Sequence, residues 1–399
     1  MSDRPNSPTS AEPEPAHSLP KEPDNTVAPP TRPPAATAGS GRVIAIDALR
    51  GFDMFWIIGG MSVVLAIPVL LGVDVPDWVE EQRHHAAWIG FTAEDLIMPL
   101  FLFIVGVAMP FSFAKRLAQR QSKARLHVKI VWRTIILFVL GMVAQGHLLD
   151  FNLETLRIYC NTLQAIACGY FFSALLILHL SLLWQIVTTA LCLVTFWALM
   201  TFVPFASQPA GTLEPNLNLA MHVETWVFGR FTGGHDYTWI LSGLGFIGSV
   251  MLGTFAGQLL CSAQHRFLKF LWLVLLGAAC LGAGWLWSYH FPIIKHLWTS
   301  SMVLWASGWC FLLLALFYLV IDVIGFRCWA FPFVVIGANA IAVYMANSLI
   351  SFHGLSDPLV GGLASHLGKY GDPVRTIAAF TVVWLILLHM YRKKTFIRI

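Results

Sequence analysis

The sequence predicts an all-α, polytopic integral membrane protein: about ten transmembrane helices in one bundle, behind a disordered N-terminal tail. Three observations lead there. The 399 residues are 57% hydrophobic and only 12% charged, with mean hydropathy +0.69, whereas a soluble domain carries about 25% charge. Apolar runs repeatedly reach the ~20 residues that cross a bilayer. Backbone groups in lipid must be satisfied within their own segment, so runs of this length are helices.

Residues 1–42 are dense in Pro, Ser, Ala and acids and have almost nothing to bury. They are expected to form a disordered cytoplasmic tail, and they lack the apolar core of a secretory signal. A single transmembrane domain then occupies 43–399. Its spans are expected near 44–71, 94–114, 128–149, 160–180, 182–204, 238–261, 267–289, 301–323, 329–352 and 375–391. No repeat of fixed period is visible.

Lysine and arginine set the orientation. The loop after the second span, "KRLAQRQSKARLHVK", carries Lys115, Arg116, Arg120, Lys123, Arg125 and Lys129, and the chain closes with Arg392, Lys393, Lys394 and Arg398. Arg266, Lys269 and Arg327 fall on the same side. Both termini are therefore expected in the cytoplasm of a cell whose inner (plasma) membrane holds the protein. The loop bearing His84 and His85 is expected outside.

Polar residues within or beside spans are costly unless paired or wet, so they mark either anchors or a site. In "IAIDALRGFDMFWIIGG", Asp47, Arg50 and Asp53 follow one another at i, i+3 and i+6, fitting an interfacial staple or the polar floor of an internal site. In "HHAAWIGFTAEDLIMPLF", Thr92 and Asp95 have the spacing of a helix capping box, and Pro99 is expected to bend the helix that follows. His84 and His85 stand next to Trp88 at the mouth of that helix. Histidine is the natural base near neutral pH. Asn161 and Gln164 lie three apart in the fourth span. Asn339, Tyr344 and Asn347 cluster in the ninth. Amides there commonly bond between helices.

The net charge of +4 gives no reason to expect nucleic acid. Cys160, Cys168, Cys192, Cys261, Cys280, Cys310 and Cys328 form no C-x-x-C pair, so neither a disulfide framework nor a metal site follows. His235, Asp236, His290 and His296 gather on the outer side without metal-ligand spacing, and no metal is expected.

Six segments in order, from "IDALRGFDMFWIIGG" and "HHAAWIGFTAEDLIMPLFLFIVGVAMPFS" through "NTLQAIACGYFFSALL", "ILSGLGFIGSVMLGTFAGQL" and "FPIIKHLWTSSMVLWASGW" to "FPFVVIGANAIAVY", resemble the heparan-alpha-glucosaminide N-acetyltransferase-like membrane acyltransferases, and their bacterial branch most of all. The resemblance covers nearly everything after residue 42. It implies transfer of an acetyl group from cytosolic acetyl-CoA to an amino sugar or glycan across the membrane. The family pattern H-A-x-W-x-G-x-T-x-x-D-L falls on His85 through Trp88, Gly90, Thr92, Asp95 and Leu96, so His85 inherits the catalytic role. Asp47, Arg50 and Gly51 match the start of the first helix, Asn339 the G-x-N-A segment, and Lys295, Trp298, Thr299 and Ser300 the K-x-x-W-T-S segment. Two positions depart. Ile89 stands where asparagine is usual, and Ala165 replaces an arginine after Gln164, which removes an anion contact.

On this reading the basic 115–133 stretch, with Arg133, receives the phosphates of acyl-CoA. His85 either deprotonates the acceptor or is itself acetylated, and Asp95 orients its ring. Asp47, Arg50, Asn161, Gln164 and Asn339 are the expected donor-binding groups. Trp88, Lys295 and Trp298 are the expected acceptor-binding groups. Membrane lipid and a glycan acceptor are the expected partners, with a homodimer as an open assembly state. The competing expectation is a transporter or flippase for a glycan or lipid-linked intermediate, using the same cavity without covalent chemistry.

Overall fold

The protein is seen in a computed structural model that describes residues 43–233, 237–350 and 353–397. The expectations for the 1–42 tail, His235, Asp236 and Arg398 fall outside the described residues. What is described is an all-α polytopic membrane bundle. Its one strand pair is a short antiparallel hairpin, β1 (Leu213–Glu214) and β2 (Leu217–Asn218).

The helices run α1 (Ile44–Ile57), α2 (Gly60–Leu70), α3 (Asp77–Glu81), α4 (Ala93–Ala118), α5 (Lys123–Ala144), α6 (Thr162–His179), α7 (Leu182–Phe202), α8 (Leu219–Phe228), α9 (Gly243–Cys261), α10 (Arg266–Ser288), α11 (Ser300–Tyr318), α12 (Phe331–Gly337), α13 (Ala340–Leu349), α14 (His353–His366) and α15 (Gly371–Arg392). Eight helices among the described residues are long and apolar enough to cross a membrane. The expected first and ninth spans are each a bent pair instead: α1 and α2 meet at 70°, and the helices on either side of Asn339 at 62°. Gly59, at φ +100°, makes the first break. The stretch expected to loop between 352 and 375 is largely helical, as α14.

Sequence character sorts the helices into two shells. In α4, α6, α9 and α11 between 50% and 67% of the central window is buried, against 17–22% in α5, α7, α10 and α15. The outer helices turn large apolar side chains outward, as lipid requires. Exposed Trp184 at one end and Trp285 and Tyr289 at the other sit where interfacial aromatics belong. The central pair, α4 and α9, approaches almost backbone to backbone. A Cβ at Gly253 would lie 2.0 Å from the Phe103 carbonyl oxygen, and one at Gly106 would lie 2.0 Å from that of Val250. Small residues permit this approach, which supplies the van der Waals packing that holds helices together in lipid. Pro110 frees the Gly106 carbonyl within α4, and the Thr254 hydroxyl donates to it at 3.4 Å. Despite Pro99 and Pro110, α4 is one continuous helix.

At one end of the bundle lie the basic 115–129 segment, the start of α1 and the end of α15. At the other lie the 71–92, 145–161 and 289–299 segments. The α1 start is capped from far along the chain, where the Asp322 carboxylate accepts from Ala45 N at 2.9 Å and Ile44 N at 3.3 Å. This long-range cap sets α1, and with it Asp47 and Arg50, beside α4.

Candidate active site

Two cavities face one another along the same helices. The outer one, at the histidine end, has a volume of about 1090 Å³ and is lined by His85, Glu94, Met98, Arg157, Lys295 and Tyr344 among others. The inner one, at the basic end, measures about 850 Å³. Its lining includes Arg50, Arg116, Arg133 and Lys394, against Asp47 as the one carboxylate among the described residues. The face of α4 carrying 94, 98, 101, 105, 109, 112 and 116 lines both in turn, and this i+3/i+4 spacing is one stripe of a helix. From Met98 of the outer lining to Phe101 of the inner one is less than one helical turn, about 4.5 Å of rise. Met54 is fully buried and sits between Arg50 and Ile57 on the matching face of α1.

At the mouth of α4 the sequence builds a tightly satisfied carboxylate. Asp95 is the third residue of the helix, and its side chain is 1% exposed. Its Oδ2 accepts from Thr92 N at 3.0 Å, Ala86 N at 3.2 Å and the Thr92 hydroxyl at 3.2 Å. Its Oδ1 takes His85 Nδ1 at 2.9 Å and Lys295 Nζ at 3.2 Å. Capping and orienting are therefore done by different oxygens of one group. An ionised Oδ1 only accepts, so the neutral tautomer that bonds it carries its proton on Nδ1, and Lys295 Nζ, a donor only, then bonds Oδ1 rather than the ring. His85 is 46% exposed while Lys295 is 6% exposed, so the imidazole reaches into the cavity and the ammonium backs it, 3.1 Å from Nδ1. Burial pushes the Lys295 ammonium pKa down from its ordinary value, and the Asp95 and Glu94 carboxylates oppose that shift.

The loops are locked to one another. Gly90, at φ +132°, turns its N–H onto the Ile293 carbonyl at 3.0 Å, a backbone conformation that side chains other than glycine rarely adopt. Trp88 donates to the Leu213 carbonyl at 2.8 Å and stacks on His296, which packs against Tyr237 in turn. Buried Glu224 accepts from Trp239 N and Ile240 N, and so fixes the segment carrying the lining residues Tyr237 and Trp239. Burial raises the Glu224 pKa, against these two backbone donors.

The expected site residues fall into three groups. His85, Asp95 and Lys295 come together. Asp47 and Arg50 line the inner cavity, 3.7 Å apart. Asp53, next in their series, is fully buried and lies outside both linings.

The remaining positions are held by bonds within the protein. Asn161 and Gln164 are the capping box of α6: Gln164 Oε1 accepts from Cys160 N and Asn161 N, its Nε2 donates to Ile158 O, and Asn161 reaches Gln145 and Tyr344. Both are fully buried. Asn339, at the break between α12 and α13, accepts from Ile397 N at 3.0 Å and donates to Thr395 O at 3.3 Å. It thereby lays residues 394–397 along the inner cavity. Trp298 is 2% exposed and donates to Ser249 Oγ, outside both linings.

Sequence reasoning passed over Glu94, Arg157 and the pair His147–Asp150, all lining the outer cavity. The H-x-x-D spacing in an otherwise apolar "GHLLDF" was the available signal. Arg133, expected at an entrance, lines the inner cavity with its guanidinium 4.6 Å over the Tyr170 ring. Its buried Nε has no hydrogen-bond partner among the described residues.

No family model matches the chain. The chain is 24% identical to heparan-alpha-glucosaminide N-acetyltransferase of Mus musculus, over an alignment covering 92% of this chain and 62% of that protein. It is 26% identical to the Homo sapiens protein of the same name, over 79% of this chain and 55% of that one. The chain thus spans less than two-thirds of the length of either relative, and the relationship is distant.

Proposed function

From this distant relationship to proteins named as N-acetyltransferases we propose that the chain is a multi-pass membrane acyltransferase. It moves an acetyl group from acyl-CoA, entering at the basic end, to an amino sugar or glycan at the opposite end. The observation that carries the reading is the single α4 stripe running from a cation-lined cavity to an imidazole–carboxylate–ammonium cluster.

Arg50, Arg116, Arg133 and Lys394 suit the phosphates of the donor, Arg133 with a donor atom to spare. The positive-inside rule puts this end, and both termini, in the cytoplasm of a cell bounded by the plasma membrane. The pantetheine arm passes Met54 and Phe101 and presents its thioester to His85. The Nε2 lone pair is the reactive group, Asp95 holds the ring in the required tautomer, and the Lys295 ammonium stabilises negative charge as it develops on the thioester oxygen. Asn339 shapes the donor cavity through the 394–397 segment. Asn161 and Gln164 set the rim of the outer cavity, and Trp88 and Trp298 fix the loops that carry His85 and Lys295.

The test uses purified full-length protein in detergent or vesicles with acetyl-labelled CoA and glucosamine as the amine probe. Thiol release coupled to acetyl transfer is the expected result, and His85→Ala should lower it by about 10³-fold at unchanged expression. An unchanged rate in His85→Ala removes the imidazole from the mechanism. Movement of the sugar across vesicles without thiol release would mark a transporter instead.

A further inference from the structure

We propose that His147, oriented by Asp150, is the base that takes the acceptor's proton in the second half of the transfer. The proposal rests on the acyltransferase reading above and deepens it by dividing the reaction between two imidazoles.

The outer cavity holds two imidazole–carboxylate pairs. His147 Nδ1 lies 2.9 Å from Asp150 Oδ2, the same separation as in the His85–Asp95 pair, and both residues of each pair except the buried Asp95 line the cavity. The carboxylate again fixes the proton on Nδ1 and leaves Nε2 as an acceptor. The two environments differ. Asp95 is 1% exposed and crowded by donors, whereas His147 and Asp150 are 56% and 52% exposed. The carboxylate of the first pair is walled in protein, whereas both members of the second stand open to water.

His147 occupies its place at a conformational cost. It sits at φ +55° before the short turn Leu148–Asp150, and Phe151 follows at φ +49°. Non-glycine residues are uncommon there, and such strain gathers at functional positions. Glycine would fit the turn with less strain but would bring no imidazole. Arg157, from the next stretch of chain, lines the same cavity while donating to the Arg230 and Thr232 carbonyls. Glu94 and Lys295 face the cavity from α4 and the 289–299 segment.

The chemistry needs a second base if His85 carries the acetyl group. In the first half a C–N bond forms to His85 Nε2, the C–S bond breaks and CoA leaves as its thiolate. The acetylated imidazolium keeps its proton on Nδ1, where it donates to Asp95, and Nε2 then has no lone pair for the acceptor. In the second half the acceptor's amine or hydroxyl attacks the acyl carbon, the C–N bond breaks and its electron pair returns to Nε2. The proton leaving the acceptor passes to His147 Nε2. The resulting imidazolium is held by Asp150 and discharges to water.

The two halves can be measured separately on the full-length protein. Acetyl-CoA alone should give the wild type a burst of thiol and protein-bound acetyl, and added glucosamine should then sustain turnover. In His147→Gln the burst should persist while glucosamine-dependent turnover falls by about 10²-fold or more, with partial recovery on adding free imidazole. His147→Gly, which suits the left-handed backbone, should melt no lower than the wild type and be equally slow. Asp150→Asn should slow turnover less. An undiminished turnover in His147→Gln, with the wild-type burst intact, overturns the role of His147 alone. So does an equal loss of burst and turnover. Absence of any burst in the wild type overturns both this proposal and the acetyl-histidine step on which it stands.

Discussion

Lys295 sits within 3.2 Å of both the Asp95 carboxylate and the His85 ring, in a pocket that water barely reaches. Burial lowers its pKa, so as pH rises the ammonium is lost earlier than from a free lysine. The hydrogen bond proposed for a developing oxyanion goes with it. The alkaline limb of the pH–kcat/KM profile should therefore fall below the ordinary lysine range. In Lys295→Arg, where the guanidinium stays charged, that limb should move to higher pH even if the maximum rate drops. A limb that does not move assigns the titration to another group. Asp95 was readable as a cap from T-x-x-D alone, whereas position at the helix mouth marked His84 and His85 alike and only the family resemblance chose His85. That one carboxylate would serve both, through separate oxygens, depends on a fold-back of the 84–92 loop that no local pattern encodes. Gln164 illustrates the opposite outcome. Its polarity inside a span marked it for the donor, yet all its bonds go to the backbone at its own helix start.

At the scale of elements, α4 does the most. Its periodicity was plain in the sequence, but the stripe facing the cavities becomes visible only when α1, α5, α6 and α13 close around it. Helical arithmetic places Met54 at the narrow turn between the cavities, level with Phe101. Met54→Trp should cut acetyl transfer by about 10²-fold, the scale of loss expected from a small misplacement of reacting groups. On the proposed path the affinity for CoA should hardly change, because the inner-cavity arginines that would take the nucleotide are left in place. A parallel loss of CoA affinity would put the donor's path elsewhere. The bends in the first and ninth spans escaped the sequence reading because hydropathy measures length and not direction. Gly59–Gly60 and Asn339 sit inside apolar runs that look continuous. Both bends have a use: the second turns Asn339 onto the 395–397 backbone and so completes the wall of the inner cavity.

For the molecule as a whole, composition alone gave the class, and the number of spans followed from apolar run length to within the two bent pairs. The two-shell arrangement did not, since inner and outer helices are alike in mean hydropathy and the outer α10 also meets its neighbour through glycines. Sidedness has a native reporter. Cys328 is exposed, at the end of the bundle that carries the basic segment. A membrane-impermeant maleimide should label it in inside-out vesicles and spare it in intact cells. Labelling of intact cells would reverse the orientation and with it the direction of transfer.

The short stretch at Met54 and Phe101 has a pharmacological corollary. An uncharged, slender molecule lodged there would fill the way proposed for the donor's arm while leaving both cavities' polar ends untouched. Inhibitors that compete with the acyl donor but not with the sugar should be sought among lipophilic wedges rather than among nucleotide analogues.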